Sequence, residues 1–132
     1  MDTNFSGTER RKFERTPVDF TVFYNVNSPI EVRIKFGDKE IVALAADISE
    51  GGMAITTDCE IPTLAIITVR FVMFNDETPA AESRSRSISA RGEVRYNKVI
   101  EKNREYRMGL EFVDLSADDH RFLRKFVLAN KE

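Results

Sequence analysis

Tryptophan is absent from this chain of 132 residues, and cysteine and histidine occur once each. A single cysteine, Cys59, excludes an internal disulfide and a thiolate metal cluster, and it suits a reducing compartment. With no histidine suggestively placed beside it, Cys59 reads as a structural thiol. His120 stands at the start of a predicted helix without companions for a metal set or a catalytic triad, so it reads as an exposed helix residue. An excess of one charge is also missing. Twenty Lys and Arg face 22 Asp and Glu, a net charge of -2, whereas general binders of nucleic acid or anionic membrane carry a basic surplus. The most apolar stretch, residues 65–74, is too short to span a bilayer and contains Arg70. The N-terminal Met-Asp-Thr-Asn-Phe-Ser-Gly has no apolar run and is not expected to be a secretory signal. Neither a Walker loop nor a Gly-x-Gly-x-x-Gly turn occurs. A cytoplasmic protein with no catalysis, no cofactor and no membrane insertion is the expectation.

What is present is enough for one domain with a real core: 42% of the residues are hydrophobic, and ten are phenylalanine. Residues 1–9 are polar and aperiodic, and are expected to form a flexible arm ahead of a domain at 10–130. From Val18 to Val26 apolar residues alternate: Val18, Phe20, Val22, Tyr24 and Val26 face one way. Period two predicts a half-buried strand, with Phe23 breaking its polar side. Residues 31–36 and 40–48 read as a hairpin around Gly37-Asp38-Lys39. Residues 53–57, 65–74, 88–100 and 106–112 read as further strands, with a long exposed loop over 75–87. Only the end is predicted helical: Ser116 suits an N-cap, Asp118 and Asp119 suit the first turn, and Phe122, Leu123, Phe126 and Val127 form one apolar stripe. The pattern implies an all-β domain. Its strands can bury their apolar faces by closing into an antiparallel barrel with the helix over one end or side.

Two clusters stand out. The first is Arg10-Arg11-Lys12-Phe13-Glu14-Arg15, basic in a chain that is acidic overall, directly before the first strand. The second is Asp47-Ile48-Ser49-Glu50-Gly51-Gly52, a strand ending in a tight turn. Taken singly, each has an ordinary structural explanation. Asp47 could cap the turn, Ser49 could bond its own backbone, and Arg11 and Arg15 could pair with Glu9 and Glu14.

Together, in this order, they resemble the two signatures of the PilZ family, Arg-x-x-x-Arg and Asp/Asn-x-Ser-x-x-Gly. Arg11 and Arg15 fill the first; Asp47, Ser49 and Gly52 fill the second. The resemblance continues through Arg91-Gly92-Glu93-Val94-Arg95-Tyr96 and through the stretch from Tyr106 to Ser116, and covers the chain from Arg10 to about Ala129. It implies a six-stranded antiparallel PilZ-type β-barrel with a C-terminal α-helix, binding cyclic di-GMP.

The residue types suit that ligand. An arginine fork can donate two parallel hydrogen bonds to guanine O6 and N7 or to phosphate, and can stack on a base. A carboxylate at Asp47 can accept from the N1–H and N2–H2 edge of guanine. Ser49 offers a small donor and acceptor. Gly51 and Gly52 complete the turn, with Gly52 expected to admit the ligand and to allow a left-handed backbone. Arg10, directly before the motif, suggests two stacked ligands per domain. The expected mechanism is a loose stretch, Met1 to Arg15, that orders over the barrel when ligand binds and signals to an unidentified downstream protein. The resemblance suggests control of motility, exopolysaccharide or virulence without choosing among them. The alternatives are a ligand-independent PilZ-like adaptor and a small barrel binding single-stranded nucleic acid. Arg91, Arg95 and Arg107 are a faint hint of the latter.

Overall fold

The computed structural model describes residues 14–74 and 85–130. In chain order these form β1 (Thr16–Pro17), β2 (Thr21–Ser28), α1 (Ile30–Phe36), β3 (Ile41–Ile48), β4 (Gly52–Thr57), β5 (Ile66–Phe74), β6 (Ser85–Glu101), β7 (Glu105–Asp114) and α2 (Ala117–Ala129). Six strands run β3-β2-β5-β6-β7-β4, and β4 pairs back onto β3, so the antiparallel sheet closes into a barrel. β1 lies outside the ring and pairs with the end of β3. Closure leaves the six-stranded ring without a free side, as the alternating strands require.

The alternation read from the sequence sets the interior. Val22, Tyr24 and Val26 of β2 are buried, and so are Met108 and Leu110 of β7. The one polar atom that β2 carries inward, Tyr24 Oη, is satisfied by Thr57 Oγ1 at 2.7 Å. Burial pushes the Tyr24 hydroxyl well above the ordinary tyrosine range. On the outer side of β2, Phe23 is half exposed with the Arg70 guanidinium over its ring.

Two predicted elements are corrected. Residues 31–36 form α1, not the first strand of a hairpin, and β3 pairs with β2 instead. Val32 and Phe36 pack against the core while Ile30 and Ile34 stay exposed. A spacing of four places two residues on one face of a helix, yet the same residues also alternate as a strand would. Over so short a window periodicity does not discriminate. Pro29 stands at the helix entrance and Gly37, at φ 70°, ends it. The strand predicted from Val18 begins instead at Thr21. Val18 and Phe20 still reach the core, from an irregular segment bonded to the Ala45–Ala46 region of β3.

The terminal helix follows the prediction. Ser116 Oγ accepts from Asp119 N at 3.1 Å, and Leu123 and Val127 are buried with Phe122 and Phe126 packed beside them. Arg86 of β6 donates to Asp119 at 2.6 Å and ties α2 to the barrel wall. Among the described residues no helix is long and apolar enough to cross a membrane.

Candidate site on the outer wall of the barrel

Asp47 reaches the outer surface because β3 is bulged. Ala45 and Ile48 both face the core, so strict alternation fails between them, and the register against β4 shifts between Ala45 and Asp47. The extra residue turns the Asp47 carboxylate outward while Ile48 stays fully buried.

Two arginines from distant parts of the chain meet that carboxylate. β1 pairs Thr16 with Ile48 and Pro17 with Asp47, which brings Arg15 alongside. Arg15 Nη1 donates to Asp47 Oδ1 at 2.8 Å. Arg107 is on β7, two strands away across β4, and its Nη2 donates to Asp47 Oδ2 at 2.8 Å. The Asp47 side chain is 15% exposed, so both bonds are sheltered from solvent. Two guanidinium groups around one carboxylate leave the cluster net positive. Arg15 Nε is buried with no hydrogen-bond partner among the described residues.

Tyr96 adds an aromatic neighbour. Its ring lies flat on Gly109: a Cβ there would come within 2.0 Å of a ring carbon. A bulge between Val94 and Tyr96 in β6 sets this position. The Tyr96 hydroxyl raises the Arg107 pKa above its ordinary value; burial opposes this and the Asp47 carboxylate supports it.

The turn after Asp47 is built by its own residues. Ser49 Oγ accepts from Gly51 N at 3.1 Å and Gly52 N at 3.2 Å, and Ser49 N donates to Gly52 O at 2.8 Å. The hydroxyl is thus committed to the backbone, the ordinary structural role for serine in such a turn. Close packing holds position 52 to glycine. Its φ is not left-handed, but a Cβ would sit 2.0 Å from the Leu110 carbonyl oxygen of β7. The close approach is to the neighbouring strand. Glu50 points the other way, accepting from His120 Nδ1 at 3.1 Å and Arg124 Nη2 at 3.3 Å, and so links the turn to α2. His120 is therefore an anchored residue and not merely an exposed one.

The structure thus brings together Arg15, Asp47, Ser49, Gly51 and Gly52. Arg10 and Arg11 lie outside the described residues. Sequence reasoning missed Arg107 and Tyr96 as members of the site. Arg107 stood out only as a basic strand residue, and the segment from Tyr106 to Ser116 only as a family feature. The other two basic strand residues are paired with acids: Arg91 with Asp114, and Arg95 with Glu93 and Glu111. Among the described residues no three His, Cys, Asp or Glu side chains are grouped to hold a metal ion.

A closed antiparallel barrel with a terminal helix, carrying an arginine–aspartate cluster on its outer wall, defines a small β-barrel domain of one recognisable kind. The PilZ domain model matches residues 9–129, and the chain belongs to that family. No curated protein is significantly similar to it in sequence. Among solved structures, the inhibitor of motility MotI/DgrA from Bacillus subtilis is similar with a TM-score of 0.68 at 21% identity, over 91% of this chain and 50% of that one. This chain therefore spans half the length of that relative. The PilZ domain of YcgR from Escherichia coli, solved with c-di-GMP, matches with a TM-score of 0.55 at 14% identity, over 92% of this chain and 91% of that one. The PilZ domain of CeSA from a cellulose-synthesizing bacterium matches with a TM-score of 0.53 at 11% identity, over 88% of this chain and 96% of that one. At these identities the likeness is one of fold.

Proposed function

We propose that this domain is a cyclic di-GMP receptor without catalytic activity. The observation that carries the reading is the convergence of Arg15 and Arg107 on Asp47, in a chain of the PilZ family. The ligand carries two phosphates and two guanines. A net positive cluster suits the phosphates, and arginine forks suit phosphate and guanine alike. Arg15, with Arg10 and Arg11, supplies the grip. Each Asp47 oxygen already accepts one arginine bond and retains a second lone pair, so it can take a guanine N–H without releasing its partners. Ser49, Gly51 and Gly52 hold the carboxylate in place from behind.

Signalling follows from ordering of the segment ahead of Glu14, which changes the surface offered to a downstream protein. The proposed switch excludes Arg15, which donates to Asp47 at 2.8 Å. One specific observation favours the rival adaptor reading: both Asp47 oxygens already accept from the chain's own arginines. The acids that pair Arg91 and Arg95 argue against a nucleic-acid groove on those strands.

Calorimetry with cyclic di-GMP, GTP and a short single-stranded oligonucleotide separates the three readings. Saturable binding of cyclic di-GMP alone is expected. No heat with any of them would leave the adaptor, and binding of the oligonucleotide alone would leave the nucleic-acid barrel.

A further inference from the structure

We propose that the outer face of β2 and β5, with the flanking part of β3, is a self-association surface whose partner is a second copy of this chain. The proposal goes beyond the receptor reading and does not depend on it. The closed ring of six strands has no unpaired strand to offer a neighbour, so a contact there has to be made by side chains on the outer wall. On β6 and β7 that wall carries ion pairs, Arg91 with Asp114 and Arg95 with Glu111. On β3, β2 and β5 it is apolar. Val42, Leu44, Phe23 and Val72 are exposed, from 38% at Phe23 to 59% at Val42. The strand registers gather them. One row across the sheet reads Val42, Phe23, Arg70, Ser89; in the next, Leu44 lies opposite Thr21, and Val72 lies opposite Ser87. Single exposed apolar residues are ordinary, whereas four that adjoin across three strands make a patch of the kind that marks an interface.

Charge selects the occupant. Arg70 pairs with Glu40, and its guanidinium lies over the Phe23 ring, 5.9 Å from the centroid. The other side chains of the two rows are uncharged. The face is therefore neutral, with one cation beside one anion, and offers no excess to a strongly acidic or basic partner. A copy of itself matches it. A two-fold axis between Phe23 and Arg70 sets each phenylalanine against the other copy's guanidinium and lets each Glu40 meet either arginine. Shape agrees with charge. A groove of about 460 Å³ opens beside Phe23, lined by Phe71, Val72, Ser87, Ile88 and Ser89. The small serines leave space that the other copy's Phe23 ring can fill, which takes both surfaces out of water. Knob and recess thus share one face, as an isologous contact requires.

Sedimentation equilibrium of the full chain without ligand, from about 1 μM to about 1 mM, spans firm to marginal dimers. Wild type is expected to reach twice the chain mass within that range. Phe23→Glu and Val72→Glu each place a charge at a contact that the symmetry repeats, and each should raise the dissociation constant about a hundredfold or more. Ile34→Glu, at an exposed apolar position on α1, should associate as wild type does. Thermal unfolding controls for folding, and if Phe23→Glu does not fold, Val72→Glu decides. A wild type that stays monomeric to the highest concentration overturns the proposal and leaves the face to a different protein or to another part of this chain. Dimers that survive in the folded face variants, or that Ile34→Glu dissociates, overturn it as well, since another surface then holds them. Cyclic di-GMP is titrated into the same proteins separately: absence of binding overturns the receptor reading and leaves the dimer standing.

Discussion

Arg15 and Asp47 are hydrogen-bonded at 2.8 Å although they stand 32 positions apart. The last arginine of the basic N-terminal cluster is therefore tied to the Asp-x-Ser-x-x-Gly turn. Two backbone pairings, Thr16 with Ile48 and Pro17 with Asp47, hold them together. A ligand that enters must share the carboxylate with Arg15 or take the guanidinium from it, and both routes make the pair part of the binding equilibrium.

Arg107 should matter as much as a motif arginine. Arg107→Ala removes a charged hydrogen bond to Asp47 and half of the flanking positive charge. Affinity for cyclic di-GMP is expected to fall about tenfold or more, at roughly 1.5–3 kcal/mol for a bond to a charged group. Arg107→Lys should recover little, because a point charge cannot replace the fork. Calorimetry on both variants checks this.

Gly52→Ala should destabilise the fold whether or not ligand is present. The new methyl would meet the Leu110 carbonyl oxygen at 2.0 Å, and that oxygen belongs to a strand backbone that cannot swing aside. A loss of about 1–3 kcal/mol is expected from overpacking of this kind, read from urea unfolding of the free protein. An unchanged midpoint would show that the turn relaxes freely.

The Cys59 thiol should react slowly at neutral pH. Burial, then the hydrogen bond to Asp58 and its charge, push its pKa up to about 11. The rate of iodoacetamide alkylation should rise through pH 9 and 10 and reach half its limit near the folded pKa. The sign of the linked stability follows. The folded pKa lies above the unfolded value, so this contribution is complete below the unfolded pKa of about 8.5 and is lost as pH rises toward about 11. Unfolding midpoints measured between pH 8 and pH 11 should therefore decline.

Arg10 carries the prediction of two ligands per domain, stacked on each other. The calorimetric stoichiometry should be two for wild type and one for Arg10→Ala. A value of one for wild type ends that proposal and leaves the single-ligand receptor intact. Hydrogen exchange of the segment ahead of Glu14 should slow on binding, as the ordering mechanism requires.

The barrel was legible because inward residues such as Tyr24 and Met108 repeat at period two, and closure is the common solution for such strands. The helix from Ile30 to Phe36 was not, since Val32 and Phe36 satisfy both periods at once. Asp47 was legible as a motif, but its outward aim depends on a bulge that no local pattern announces. Arg107 and Tyr96 were hidden for a related reason. They join Asp47 only through the registers of β3, β4, β7 and β6, and pairing between distant strands is set by the closed sheet rather than by local sequence.

A double-mutant titration tests the central claim most directly. Cyclic di-GMP affinity is measured for wild type, Arg15→Ala, Asp47→Ala and the pair. The account requires saturable binding by wild type, about tenfold or greater loss in each single variant, and a double variant that loses less than the two single losses combined, since the residues are hydrogen-bonded to one another. Full affinity in both single variants would contradict it.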